Sequence, residues 1–168
     1  GVDTMFGGAG NDTIDGGLAN DYIEGNDGDD FLDGGRHNDT LHGGLGNDTY
    51  YVDSAGDIVN DVVDGGYDQV FSSVTHTLTA NVEDLYLTGN AAINGTGNAA
   101  ANYLSGNLAA NTLSGGGGND ELYGDDGNDV LNGDVGDDWL DGGVGNDVMT
   151  GGAGNDAYVV GTGDSVVE

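Results

Sequence analysis

One large apolar side chain recurs at every ninth position through two stretches of the chain. Across residues 7–51 these are Ile14, Ile23, Leu32, Leu41 and Tyr50, and across residues 115–159 they are Leu122, Leu131, Leu140, Met149 and Tyr158. In register, the first stretch reads GGAGNDTID, GGLANDYIE, GNDGDDFLD, GGRHNDTLH and GGLGNDTYY. The second reads GGGGNDELY, GDDGNDVLN, GDVGDDWLD, GGVGNDVMT and GGAGNDAYV. Position 1 is Gly and position 6 is Asp in all ten copies, and position 8 holds the large apolar residue. Positions 7 to 9 are predicted to form a short strand whose middle side chain points one way and whose neighbours point the other. Positions 1 to 6 then form a turn, because Gly tolerates positive φ and Asp and Asn bond their own backbone. One apolar residue per nonapeptide cannot bury itself in an isolated unit, so the units are expected to stack and align these residues in a continuous ladder.

Weaker copies flank the blocks. GNAAANYLS at 97–105 and GNLAANTLS at 106–114 carry Asn102 and Asn111 where Asp stands elsewhere, and VDSAGDIVN at 52–60 reads as a degraded copy. The start of the chain, before Gly7, reads as the tail of another. A shift of twelve nonapeptides lays Gly7 on Gly115, Phe31 on Trp139 and Tyr50 on Tyr158. Because that shift is a whole number of copies, the stretch between the blocks should keep the solenoid in phase. The organisation is therefore a first block at 1–51, longer degenerate coils at 52–94, a second block at 95–159 and the start of a further joining segment at 160–168. Residues 52–94 contain the alternating runs DQVFSS, VTHTLT and VEDLYL, rich in β-branched and aromatic residues, and read as further coils. A separate small subdomain is the alternative there. The whole reads as part of a larger tandem array.

Charge adds the chemistry. Thirty-one acidic residues stand against a single base, Arg36, for a formal net charge of −30, with no proline and no cysteine. Without cysteine there is neither a disulfide framework nor a thiolate metal site. One arginine cannot supply the basic surface that displaces counterions from phosphate, which excludes nucleic acid as a partner. No apolar run approaches the ~18 residues that span a bilayer, so membrane insertion is not expected. Of the acids, 27 are Asp and only 4 are Glu, alongside 18 Asn and 36 Gly. A merely solubilising surface would use Glu freely, whereas Asp, Asn and Gly together are turn chemistry.

Stacking turns that each carry Asp repeats a carboxylate at the inter-strand spacing of roughly 4.7–4.9 Å. If two nonapeptides make one flattened coil, equivalent turns recur with every second copy on the same edge, in columns such as Asp12/Asp30/Asp48 and Asp21/Asp39. Left alone, such columns repel. Hard cations between them remove the repulsion, and oxygen ligands without His or Cys at the repeat positions select calcium over zinc or copper.

The pattern GGxGxDxUx, as in GGAGNDTID, GGLGNDTYY and GGVGNDVMT, resembles the RTX (haemolysin-type) calcium-binding repeat. The resemblance implies an all-β, right-handed parallel β-roll with calcium ions between stacked turns. It also implies a ligand scheme. Each ion takes the carbonyls of positions 2 and 4 and the Asp of one turn, with the carbonyls of positions 1 and 3 and the Asp of the turn two copies on. Carried onto this sequence, the first block has Gly8, Gly10 and Asp12 with Gly25, Asp27 and Asp30; Gly17, Ala19 and Asp21 with Gly34, Arg36 and Asp39; and Asn26, Gly28 and Asp30 with Gly43, Leu45 and Asp48. The second block has Gly116, Gly118 and Asp120 with Gly133, Val135 and Asp138; Asp125, Gly127 and Asp129 with Gly142, Val144 and Asp147; and Asp134, Gly136 and Asp138 with Gly151, Ala153 and Asp156. About six such sites would set +12 against −30, with room for more at the block edges. Ala19 and His37 replace Gly at position 4, and Asn26, Asp125 and Asp134 replace it at position 2, which predicts backbone strain there without loss of the carbonyls. Asn102 and Asn111 should bind weakly or hold no ion, their amides forming hydrogen bonds instead, and the coils of 52–94 are read as ion-free.

Nothing in the sequence points to catalysis. His37, His42 and His76 fit no metal or nucleophile motif, GxSxG is absent, and the many carboxylate pairs are explained by metal ligation in every copy. Phe31 and Trp139 share position 7, where side chains face outward, and would either pack on a neighbouring module or offer a contact patch. By resemblance the chain is a non-catalytic module of a larger secreted bacterial protein, exported by type I secretion and folded by extracellular calcium. Its partners would be calcium ions and the rest of the parent polypeptide. The alternative is a polysaccharide- or cell-surface-binding module of an adhesin or an alginate-epimerase-like enzyme.

Overall fold

The computed structural model describes residues 1–63 and 65–168, and among these every regular element is a β-strand. All strand pairs are parallel, and the strands wind into a β-solenoid as the nonapeptide stacking requires. Two compact units are present: Gly1–Val74 with Thr79–Val82, and Thr75–Leu78 with Glu83–Glu168.

In the first unit the chain alternates between two rows of strands. One row stacks β1 (Thr4–Ala9), β3 (Tyr22–Asp27), β5 (Thr40–Leu45) and β7 (Ile58–Asn60). The other stacks β2 (Thr13–Asp15), β4 (Phe31–Asp33), β6 (Thr49–Val52) and β8 (Gln69–Ser72). Register pairs such as Ile23↔Leu41 and Leu32↔Tyr50 join every second copy, so two nonapeptides make one coil. Past Tyr51 the coil lengthens by two positions, Thr49 pairing with Gln69. Asp64, inside the 52–94 segment, lies outside the described residues.

The second unit repeats the arrangement. One row holds β9 (His76–Thr77), β11 (Gly95–Thr96), β13 (Thr112–Gly117), β15 (Val130–Val135), β17 (Val148–Ala153) and β19 (Ser165–Val167). The other holds β10 (Asp84–Leu87), β12 (Tyr103–Ser105), β14 (Glu121–Tyr123), β16 (Trp139–Asp141) and β18 (Ala157–Val159). The first coils here exceed two nonapeptides by a single position, as Asp84↔Tyr103 and His76↔Gly95 show. They then settle to the regular length with Leu104↔Leu122 and Leu113↔Leu131.

One expectation needs correction. The three-residue strand describes β2, β4, β14, β16 and β18, but β1, β3, β5, β13, β15 and β17 are six residues long. In those coils positions 1 to 3 also lie parallel to the next coil, with Gly8↔Asn26 and Ala9↔Asp27 in register. Identical backbones stacked at a constant spacing can pair even through part of a turn. On the opposite edge the same tendency leaves only the single bridges Leu18↔Arg36 and Asp126↔Val144.

The position-8 ladder is the core. Ile23, Leu32, Leu41, Tyr50, Leu122, Leu131, Leu140 and Met149 are all 0% exposed, and Leu104 and Leu113 of the Asn-type repeats join them. Ile14 and Tyr158 are half-buried, since each has a rung on one side only. Full burial of such a side chain is worth ~1.5–3 kcal/mol. Leu32→Ala should therefore cost ~2–5 kcal/mol and Ile14→Ala distinctly less, because a cavity forms only at a fully enclosed rung. Urea unfolding in saturating calcium measures both, and equal losses would contradict the ladder.

Candidate metal centre

The turn aspartates form columns, and a hydrogen bond sets each column's pitch. The Asp12 backbone N–H donates to Asp30 Oδ1 (2.8 Å), Asp30 N–H to Asp48 Oδ1 (2.8 Å) and Asp48 N–H to Asp68 Oδ1 (2.7 Å). On the other edge Asp3, Asp21, Asp39 and Asp57 follow the same rule. In the second unit the columns run Asn102, Asp120, Asp138, Asp156 and Asn111, Asp129, Asp147, Asp164. One carboxylate oxygen per turn is thus used by backbone.

The second oxygen is not. Oδ2 of Asp12, Asp21, Asp30, Asp39, Asp48, Asp120, Asp129, Asp138, Asp147 and Asp156 is buried and accepts no hydrogen bond. Nor does the one arginine neutralise them: among the described residues Arg36 makes no ion pair with a column aspartate, and the N-terminus pairs with Asp3 at 3.6 Å. Buried, unpaired carboxylates cost several kcal/mol each unless something binds them.

The two Asn positions act as an internal comparison. Asn111 Nδ2 donates to the Ile93 carbonyl (2.6 Å) and its Oδ1 accepts the Asn107 N–H (2.8 Å). Asn102 Nδ2 donates to the Glu83 carbonyl (3.1 Å), and its Oδ1 accepts the Asn98 N–H (2.7 Å). An amide carries its own donor and closes the turn alone, whereas a carboxylate at the same place has only acceptors and needs a positive partner.

Backbone oxygens surround that place. At Gly25, a Cβ would collide with Asp30 Oδ2 and stand 2.8 Å from the Gly43 carbonyl oxygen. At Gly133 it would collide with Asp138 Oδ2 and stand 2.6 Å from the Gly151 carbonyl oxygen. Position 1 is glycine because its Cβ would fill the space between a turn's carboxylate and the next turn's carbonyl. The carbonyls of positions 2 and 4 lie against the following turn as well. A Cβ on Gly44 would run into the Asn26 oxygen, and one on Gly28 would meet the Gly10 oxygen at 2.5 Å. Position-3 carbonyls, those of Asp27, Leu45, Val144 and Ala153, each accept one N–H from the neighbouring turn and keep a second lone pair.

Positions 2 and 4, Gly145 excepted, adopt positive φ even where the residue is not glycine. Ala19 (99°), Asn26 (79°), His37 (95°), Asp125 (66°) and Asp134 (71°) all do so, the five departures noted in the sequence. Asn and Asp tolerate this region, and Ala19 and His37 carry the larger strain. His37 Nδ1 lies 2.6 Å from the Arg36 carbonyl oxygen and 3.3 Å from the Ala19 nitrogen, which brings the two strained turns together.

A family model described as the RTX calcium-binding nonapeptide repeat (4 copies) matches residues 1–32, 15–50, 96–131, 123–158 and 132–167, well over half of the chain. The chain belongs to the RTX repeat family. No curated protein matches it. The RTX repeats occur in secreted bacterial proteins as structural calcium-binding modules. Calcium fits the residues present: each inter-turn space gathers carboxylate and carbonyl oxygens only, the donor set of a hard cation, and the orphaned Oδ2 atoms supply the charge it requires.

The first set carried over from the repeat pattern, Gly8, Gly10, Asp12, Gly25, Asp27 and Asp30, lies at one inter-turn space, through the Asp12–Asp30 contact and the Gly8↔Asn26 register. The equivalent residues of the remaining five RTX sets are brought together in the same way. Sequence reasoning missed Asp57, Asp68 and Asp164, which extend the columns. Asp57 keeps the nonapeptide spacing from Asp48 and was legible. Asp68 and Asp164 break the regular column spacing, one lying beyond it and the other short of it, and were not. Of the histidines, His37 sits in a turn and His42 packs its ring against Tyr22 (5.2 Å). Phe31 packs on Tyr51 (4.8 Å), while Trp139 is 43% exposed.

Burial, offset in part by the hydrogen bond from the preceding turn, pushes Asp48, Asp120 and Asp129 up to about 6 in the absence of metal, and neighbouring carboxylates push the same way. Asp30, Asp39, Asp138 and Asp147 are raised for the same first reason. A carboxyl with a higher pKa folded than unfolded binds more protons in the folded state. Its contribution to the metal-free fold is therefore present below the ordinary carboxyl value of about 3.9 and disappears as pH rises through about 6. In chelator, β-structure measured by circular dichroism should increase as pH is lowered from about 7 to about 4.5. With calcium the order reverses, because protonation removes the ligands.

Proposed function

We propose that this chain is a calcium-triggered folding module of a larger secreted bacterial protein, kept expanded inside the cell and locked into a β-roll outside it, as type I secretion favours. The observation that supports this is the set of buried turn carboxylates with one unsatisfied oxygen each, set against Asn102 and Asn111, whose amides complete the turn without help. The six ligand sets carried over from the family, from Gly8–Gly10–Asp12 with Gly25–Asp27–Asp30 to Asp134–Gly136–Asp138 with Gly151–Ala153–Asp156, are the proposed calcium sites. In this reading the module contributes structure and leaves any catalysis to the parent protein.

The magnitudes suit a switch. Extracellular calcium modules bind with Kd of about 10⁻⁴–10⁻³ M. At millimolar calcium each site with Kd ~10⁻⁴ M adds ~1.4 kcal/mol, so six add ~8 kcal/mol, comparable to the whole stability of a domain. Where calcium is far below Kd the term vanishes and the −30 charge opposes compaction.

Far-ultraviolet circular dichroism should show coil in EDTA and β-structure in millimolar calcium, and identical spectra would refute the reading. Asp30 serves two of the proposed sites, so Asp30→Ala, which removes the carboxylate without supplying an amide donor, should raise the calcium needed for half-folding by about tenfold or more, at least the scale of losing an outer-shell partner. A calcium titration of the same signal reads that shift.

A second reading, a polysaccharide- or surface-binding module, is favoured by Trp139. Its ring is 43% exposed in the outward-facing register Glu121–Trp139–Ala157, where its counterpart Phe31 is covered by Tyr51. Retention on immobilised acidic and neutral polysaccharides in calcium, lost on Trp139→Ala with folding intact, would support it. Passage of the folded wild-type chain without retardation would dismiss it.

A further inference from the structure

Where the first block gives way to the longer coil, the column gains an extra carboxylate. One oxygen each of Asp48, Asp61 and Asp68 lies within 4.8 Å of the other two. Asp61 stands outside every nonapeptide copy and outside the family matches. It is held in place from two sides, accepting on Oδ1 the Tyr50 hydroxyl (3.0 Å) and the Gly44 N–H (3.2 Å). Its Oδ2 is buried and accepts nothing.

Asp48 supplies the second observation. It is 1% exposed, its Oδ1 is taken by the Asp30 N–H, and its Oδ2 accepts no hydrogen bond. That oxygen lies on the side of Tyr50: a Cβ at Gly43 would collide with both Asp48 Oδ2 and the Tyr50 hydroxyl oxygen. The same crowding recurs at the equivalent place of the second block, where a Gly151 Cβ would collide with Asp156 Oδ2 and the Tyr158 hydroxyl. Carbonyl oxygens come alongside too. A Cβ on Gly65 would meet the Gly44 oxygen at 2.8 Å, and one on Gly66 would overlap the Gly46 oxygen.

We propose that Asp48, Asp61 and Asp68 hold a divalent hard cation, calcium, at a site built unlike those of the repeats, with three carboxylates where a repeat site has two. The choice of calcium rests on the reading above, but the site rests on these side chains. Oxygen donors alone exclude soft metals, and a third negative ligand raises affinity for a cation of this class. This site therefore fills at lower calcium than the repeats and fastens the coil that follows the first block, a stretch read from sequence as ion-free.

Calcium counting by native mass spectrometry tests it on the full chain. Asp61→Asn should bind one calcium fewer than wild type and lose the tightest binding step, with the remaining ions retained. An equal count overturns the three-carboxylate site and leaves the repeat sites standing, whereas a wild-type chain that binds no calcium overturns both. Should Asp61→Asn fail to fold, an anomalous diffraction map of wild-type crystals grown in terbium decides. A peak about 2.3–2.6 Å from oxygens of all three carboxylates supports the site. Peaks between the repeat turns with none here overturn it.

Discussion

Carboxylates stacked in the same place on successive turns, with one oxygen tied to backbone and the other left over, are the constraint from which the rest of the structure follows. A column such as Asp12, Asp30, Asp48 repeats that arrangement coil after coil, and no lysine and one arginine exist to offset it. Two forces oppose each other along the same axis. The apolar ladder of Ile23, Leu41 and Leu32, Tyr50 draws the coils together, and the columns drive them apart. In the function proposed above, divalent cations convert the second force into attraction, which would couple folding to calcium rather than merely assist it.

The Asn repeats show how local that coupling is. Asn102 and Asn111 occupy the same backbone position with nearly the same shape, yet their amides donate to Glu83 and Ile93 carbonyls one coil back and complete the turn. A coil carrying Asn has its turn hydrogen bonds complete, and a coil carrying Asp keeps one carboxylate oxygen without a partner. In the second unit these two rungs stand at the head of the Asp columns, Asn102 before Asp120 and Asn111 before Asp129. The stacking itself is indifferent to the change, since Leu104 and Leu113 are as buried as Leu122 and Leu131.

Glycine is used in three distinct ways in one nonapeptide. At position 1 it leaves the space between a carboxylate and the facing carbonyl open, as at Gly25 and Gly133. At positions 2 and 4 it allows positive φ and lets the previous turn's carbonyl approach, but Ala19, Asn26, His37, Asp125 and Asp134 show that φ alone can be met at a cost. Position 1 has no such exceptions in the ten strong copies, which is the difference between backbone strain and a steric collision with a ligand oxygen.

The nonapeptide, the stacked core, the coil of two nonapeptides and the two aspartate columns were all legible in the sequence, because a strict period forces every copy into the same environment. The five strained turn residues were legible for the same reason, as departures from a pattern. Asp57 apart, what escaped was whatever breaks the period. The longer strands, such as β1 and β3, arise from pairing through the turn, which depends on the neighbouring coil rather than on any residue's own preference. Asp61 and Asp68 carry no repeat signal, and only the lengthened coil after Tyr51 brings them to Asp48. The reason position 1 must be glycine likewise lies in the carbonyl of a residue two copies away, visible only once the coils are stacked.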